Sequence, residues 1–245
     1  MLPEDIQRRV EESKRVCVFT GAGVSAESGI PTFRSAGGLW EKYRPEDLAT
    51  LDAFARDPVM VWQWYAWRQE LVCSAQPNAA HKAIAAMDRT YPEFLLVTQN
   101  VDDLHERAGV KRMVKLHGSI MEMRCLDAGH VIALKEPLDK DAIAKESLPK
   151  CPTCDSVCRP NVVWFGEMLP PEPIYAGREF AAACDMLLIV GTSGVVGGGY
   201  GLAELAKLAG ALVVEVNPEE SALSHLAEVS VRHPAADALP KIFHR

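Results

Sequence analysis

Four apolar runs, each ending in glycine or a polar side chain and separated by amphipathic stretches, constrain this chain more than any other feature. They read VCVFT before Gly21, FLLVTQN at 94–100, MLLIVGTS at 186–193 and ALVVEVN at 211–217. Short apolar runs alternating with helical patterns imply parallel strands joined by crossover helices, a doubly wound sheet of the α/β class. In such sheets a ligand sits beyond the carboxyl ends of the strands. Gly21, Gln99, Gly191 and Asn217 are therefore expected to converge on one crevice.

Two stretches break the rhythm. From about 37 to 77 the chain is rich in Trp and Tyr and reads as a small helical insertion. From about 120 to 160 it carries Cys125, Cys151, Cys154 and Cys158 around a charged linker and reads as a small metal-stapled module. Residues 1–36, 78–119 and 161–245 remain for the sheet, all within a single domain, a size that 245 residues allow. Hydrophobic residues at 48% and charged residues at 24% exclude disorder and fibres. A net charge of -7 leaves no broad basic field, so nucleic acid is not an expected direct partner. The N-terminal MLPEDIQRRVEESKRV has no apolar signal core, and no run of about 18 uncharged apolar residues occurs. A cytoplasmic protein with no membrane partner is expected. Seven cysteines cannot all pair, and their crowding at 151–158 in a reducing compartment suggests metal.

Gly21-Ala22-Gly23-Val24-Ser25-Ala26 matches G-x-G-x-x-G/A, the loop of a Rossmann-like dinucleotide site. Its glycines let the backbone approach a pyrophosphate, and the helix that follows offers unpaired N–H groups to the anion. Alone, the loop fits a plain strand-to-helix turn as well. Its continuation through Glu27, Gly29, Pro31 and Arg34 is too broken for a long dehydrogenase helix, so a loop as well as a helix would hold the cofactor.

GAGVSAESGIPTFR, TQNVDDLH, LHGS, VVWFGE and GTS occur in this order, and together they resemble the sirtuin family of NAD-dependent protein deacylases from about Val16 to Asn217. The resemblance implies that Gly21, Ala22, Gly23, Ser25, Ile30, Pro31, Thr32, Phe33, Arg34 and Trp40 belong to the NAD site, with Phe33 over the reacting ribose. It places Gln99, Asn100 and Asp102 at the ribose and nicotinamide amide. Gly191, Thr192, Ser193 and Asn217 fall at the phosphate and adenosine ribose, and Ala235 at the adenine. Asn100 and His117 become catalytic, His117 as the base. In the implied reaction an acyl-lysine amide oxygen attacks the ribose carbon as nicotinamide leaves. The base then deprotonates a ribose hydroxyl, which attacks the resulting imidate, and the products are nicotinamide, free lysine and an O-acyl-ADP-ribose. Histidine exchanges a proton near neutral pH, as that step needs. Val163, Phe165, Gly166 and Glu167 match the family segment that pairs with an extended acyl-lysine peptide by β-addition. Acylated lysine-containing proteins or peptides are the partners so implied.

Within WQWYAWRQE, helical spacing puts Tyr65 and Arg68 on one face, three residues apart. A guanidinium fork suits a carboxylate and a phenol adds a further bond. The pair resembles that of class III sirtuins, which implies removal of succinyl and malonyl groups, with deacetylation as well. The plain alternative is an aromatic core of Trp62, Trp64, Tyr65 and Trp67 with Arg68 reaching solvent.

In the resemblance a zinc-ribbon-like module is held by two C-x-x-C pairs. Cys151-Pro152-Thr153-Cys154 is intact, but the first pair reads Cys125-Leu126-Asp127-Ala128. Structural zinc wants four N or S ligands. With Cys125, Cys151 and Cys154 in register, the outcomes are a substitute ligand from His130 or Cys158, a three-cysteine site completed by water, or no metal. Cys158 also reads as a small buried hydrophobe. A second departure is the glycine-rich Gly194 to Gly201, where the family carries a Tyr-Pro-Ala-type segment; it bears on NAD affinity and peptide grip. Two other functions share the fold: an ADP-ribosyltransferase and a non-catalytic NAD or ADP-ribose sensor.

Overall fold

Six parallel strands form the main sheet of the computed structural model, which describes residues 2–33, 38–39 and 44–243. In chain order the strands are β1 (Arg15–Thr20), β2 (Glu93–Thr98), β3 (Met113–Lys115), β4 (Gly118–Cys125), β5 (Val131–Ala133), β6 (Cys158–Val162), β7 (Met186–Val190), β8 (Leu212–Val216) and β9 (Val229–Val231). The main sheet runs β3-β2-β1-β7-β8-β9, and a second, antiparallel sheet runs β5-β4-β6. All four apolar runs lie in the parallel sheet, as their pattern predicts.

Successive side chains of a strand point to opposite faces, and both faces of this sheet are covered. Val16, Val18, Leu188, Val190, Val214 and Val216 pack under helices Ala79–Thr90 and Ala235–Ile242. Cys17, Phe19, Leu187, Ile189 and Val213 pack on the other side, with Ala181, Leu202, Ala203 and Ala206 from helices Pro171–Ala181 and Leu202–Leu208. Double burial is why these runs read as continuously apolar. Each Val, Leu, Ile or Phe among them contributes about 1.5–3 kcal/mol by leaving water. The one carboxylate in β8, Glu215, is fully buried and is satisfied by Ser221, Ser224, Ser230 and Arg232.

Strand order reverses between β1 and β7, and a crevice opens there. Gly23 N donates to Gly191 O at 2.8 Å and Gly21 N to Val190 O at 3.1 Å. A Cβ on Gly23 would stand 2.7 Å from Gly191 O. The two loops therefore touch backbone to backbone, which only glycine permits.

The stretch between β1 and β2 carries helices Pro45–Leu48, Leu51–Arg56 and Pro58–Ser74. Thr50 and Asp57 cap the second and third through the N–H groups of Ala53 (3.0 Å) and Met60 (2.9 Å), and Pro58 opens the third where no N–H is needed. The helix Pro58–Ser74 packs against the antiparallel sheet in one core that holds Trp62, Ile120, Cys125, Cys151, Cys158 and Trp164. Polar groups lock this contact: Trp62 Nε1 donates to Cys158 O at 2.8 Å, and Gln69 donates to Ile120 O at 2.9 Å while accepting from Leu138 N at 3.0 Å. Helical insertion and cysteine module thus make one small body beside the Rossmann-like sheet. Among the described residues no helix is long and apolar enough to cross a membrane.

Candidate active site

A cavity of about 720 Å³ lies at the switch point, between the main sheet and the small body. Its floor is the meeting of the two glycine turns, with Gly21, Ala22 and Gly23 after β1 and Gly191, Thr192 and Ser193 after β7. Asn217 and Ala235 extend one end, and Thr32 and Phe33 close over the middle. Gln99, Asn100 and His117 form the inner wall, while Val163, Phe165, Gly166 and Glu167 face them from the loop after β6. Tyr65 and Arg68 lie on the same cavity.

Some expected residues stand elsewhere. Ser25 and Asp102 are not on the cavity wall but behind it: Asn100 Nδ2 donates to Ser25 Oγ at 3.2 Å, and Ser25 donates to Asp102 at 3.0 Å. Burial pushes the Asp102 carboxyl up, against hydrogen bonds from Leu104 N and Ser25. The two side chains thus back Asn100 through one hydrogen-bonded chain. Ile30 and Pro31 also lie off the wall, with Ile30 packed on the small body's core. Arg34 and Trp40 lie outside the described residues. Glu167 lines the cavity, yet its carboxylate is taken by Arg159 (2.5 and 2.9 Å) and by Trp164 N (2.7 Å).

His117 follows β3 at the carboxyl edge of the sheet. Its Nδ1 lies 2.9 Å from Gln99 O, a carbonyl that can only accept, so Nδ1 carries the proton and Nε2 keeps its lone pair. Burial lowers its pKa, while the Gln99 carbonyl pulls the other way. The ring is thus a neutral base at neutral pH, with its free nitrogen turned to Tyr200, whose hydroxyl donates to Nε2 at 2.7 Å. Tyr200 was not among the residues expected here. Its only sequence signal is an aromatic ring between glycines in a segment that departs from the family pattern. Gln99 also donates to Thr192 Oγ1 at 2.8 Å and Asn217 to Thr192 O at 2.9 Å, which ties the two ends of the crevice.

Arg68 is 6% exposed, and its guanidinium lies against the rings of Trp64 (4.8 Å), Phe33 (4.9 Å) and Tyr65 (5.8 Å). Among the described residues no carboxylate pairs with it. Burial lowers its pKa, while Tyr65 and Asp102 raise it. Tyr65 accepts from Trp164 Nε1 at 2.8 Å, which uses an oxygen lone pair and leaves its O–H to donate.

Off the cavity wall, Cys125, His130, Cys151 and Cys154 bring one donor atom each to within 4.8 Å of one another. Cys125 Sγ to Cys154 Sγ is 3.3 Å, and His130 Nδ1 is 3.5 Å from Cys151 Sγ and 3.8 Å from Cys154 Sγ. Tetrahedral zinc with bonds of about 2.3 Å to sulfur and about 2.0 Å to nitrogen spaces its ligands by about 3.5–3.8 Å. The donor set fits zinc. Cys158 stays out of it, fully buried in the core with its thiol pushed up to about 11 by burial.

The profile of the Sir2 family matches residues 21–198. The chain is 50% identical to "NAD-dependent protein deacylase 2" of Pyrobaculum aerophilum, over 94% of this chain and 90% of that one. It is 48% identical to "NAD-dependent protein deacylase 1" of Pseudomonas aeruginosa, over 95% and 94%. A solved Sir2 homolog–NAD complex superposes with a TM-score of 0.92 at 44% identity, covering all of this chain and 93% of the other. A Sir2 variant with a deacetylated p53 peptide and 3′-O-acetyl ADP ribose superposes at 0.87 with 27% identity, covering 100% and 98%. With its glycine turns, inner wall and cysteine module all in one arrangement, this chain belongs to the Sir2 family.

Proposed function

We propose that the chain is an NAD-dependent protein-lysine deacylase that prefers acyl groups ending in a carboxylate, succinyl and malonyl, and also accepts acetyl. Gly21 N and Gly23 N are spent on the Val190 and Gly191 carbonyls, so the pyrophosphate would meet the other amides of the two turns, those of Ala22, Thr192 and Ser193. Bound NAD supplies the glycosidic bond that is broken and the ribose that receives the acyl group. Asn100, oriented by Ser25 and Asp102, faces the nicotinamide end. His117 Nε2 takes the ribose hydroxyl proton, since its Nδ1 is committed to Gln99. Phe33 covers the reacting end and excludes water. The peptide lies along the loop after β6. Cys125, His130, Cys151 and Cys154 would hold zinc as a structural staple of the small body, off the cavity wall.

The observation that carries the acyl preference is Arg68: a cation buried in the cavity wall among aromatic rings, without an acidic partner among the described residues. An unpaired buried charge costs roughly several kcal/mol, a cost that a substrate carboxylate removes and an acetyl group does not. The Tyr65 hydroxyl lies ready to donate to the same acid. Arg68→Met is expected to lower kcat/KM for succinyl-lysine peptide by roughly a hundredfold or more, and for acetyl-lysine peptide far less. Equal losses on both substrates would remove the carboxylate role.

Incubation of the wild type with NAD and a succinyl-lysine peptide, read by mass spectrometry, separates the rivals. Free peptide with O-succinyl-ADP-ribose is expected. ADP-ribose attached to protein would point to a transferase, and neither product to a sensor.

A further inference from the structure

The contact between Tyr200 and His117 belongs to no step of the chemistry above. Tyr200 lies in a 3-10 turn, Val196–Gly201, with φ at +59°, a left-handed conformation that side chains rarely adopt. Gly197, Gly199 and Gly201 around it are left-handed too. A Cβ on Gly197 would run into the Tyr200 ring, so that glycine is what lets the ring lie inward. The ring stands edge-on to Phe19 at 6.5 Å and to His117 at 6.0 Å. Its carbonyl is held by Arg178 Nη1 at 2.8 Å, whereas among the described residues its hydroxyl has no partner except His117 Nε2.

An imidazole nitrogen carries a single lone pair in the ring plane and accepts one good hydrogen bond. His117 Nδ1 is already engaged by Gln99 O, so Nε2 is the one nitrogen open to a hydroxyl. A ribose hydroxyl and the Tyr200 hydroxyl cannot both donate to it. We propose that Tyr200 stands in for the cofactor's ribose hydroxyl on His117 and must be displaced when NAD binds, so that it lowers the enzyme's affinity for NAD. This rests on the reading of His117 Nε2 as the ribose-facing base. The surrounding backbone suits displacement: Tyr200 holds a left-handed conformation in a single short 3-10 turn among glycines, so an outward shift to a commoner conformation costs that one turn and no α-helix or strand.

The test is calorimetric titration of NAD into the wild type, Tyr200→Phe, His117→Ala and the double variant. Tyr200→Phe keeps the ring on Phe19 and removes the hydroxyl alone. It is expected to tighten NAD binding about fivefold, the share of one neutral hydrogen bond. The gain should vanish in the His117→Ala background, where the hydroxyl has lost its partner. Unchanged or weaker NAD binding by Tyr200→Phe would overturn the proposal, as would a gain that persists without His117. A hundredfold loss of kcat at saturating NAD, without tighter binding, would also overturn it and make Tyr200 a proton relay between ribose and His117. Turnover by His117→Ala alone tests the base assignment separately, because the coupling is read in binding.

Discussion

At the scale of single residues, proton inventory follows from which neighbours can only donate or only accept. Gln99 O decides the tautomer of His117, and Asn78 N–H does the same for His81, donating to its Nδ1 at 3.3 Å. His81 is fully buried beside His105, with ring centres 4.8 Å apart, and burial followed by the nearby Arg107 charge lowers its pKa to about 4. The native state excludes a proton that the unfolded chain takes up near 6.5. Stability from this site is therefore complete above about pH 6.5 and is lost as pH falls toward 4, by about 3 kcal/mol in full. Urea unfolding between pH 7 and 4 measures it. If His81→Asn has the same pH slope as wild type, His81 is not the group responsible.

At the scale of elements, the cysteine module brings a histidine to the three cysteines. Ala128 stands where the family has cysteine, and the turn 126–130 carries His130 back over Cys151 and Cys154, with Cys125 N donating to His130 O at 2.9 Å. His130→Ala leaves three sulfurs. Zinc measured after purification without added metal is expected to fall from about one per chain to well below half, with a lower Tm. Full zinc retention in His130→Ala would mean that water or another group completes the site. The short strands β4 to β6 had no periodic signal in sequence, because strands of three to eight residues take their order from the core they share with Trp62 and Trp164.

At the scale of the molecule, the crevice exists because two turns far apart in sequence meet without side chains. Gly23→Ala puts a Cβ 2.7 Å from Gly191 O and 2.8 Å from Gly191 Cα. Overpacking of this kind costs about 2 kcal/mol, which for this length lowers Tm by roughly 4–8 °C. NAD binding should weaken as well, and a variant with wild-type Tm and NAD affinity would show that the turns have room. The parallel sheet, the glycine turns and most of the cavity wall were legible in the sequence, since burial on both faces makes a continuous apolar run and close backbone approach demands glycine. Local pattern also carried the helical spacing of Tyr65 and Arg68. Whether Arg68 had an acid partner, whether Ser25 and Asp102 met the cavity or stood behind Asn100, whether His130 or Cys158 joined the cysteines, and where Tyr200 pointed were all decided by tertiary structure. Those are distances between residues remote in sequence, and hydrogen-bond partnership and burial depend on such distances rather than on residue type.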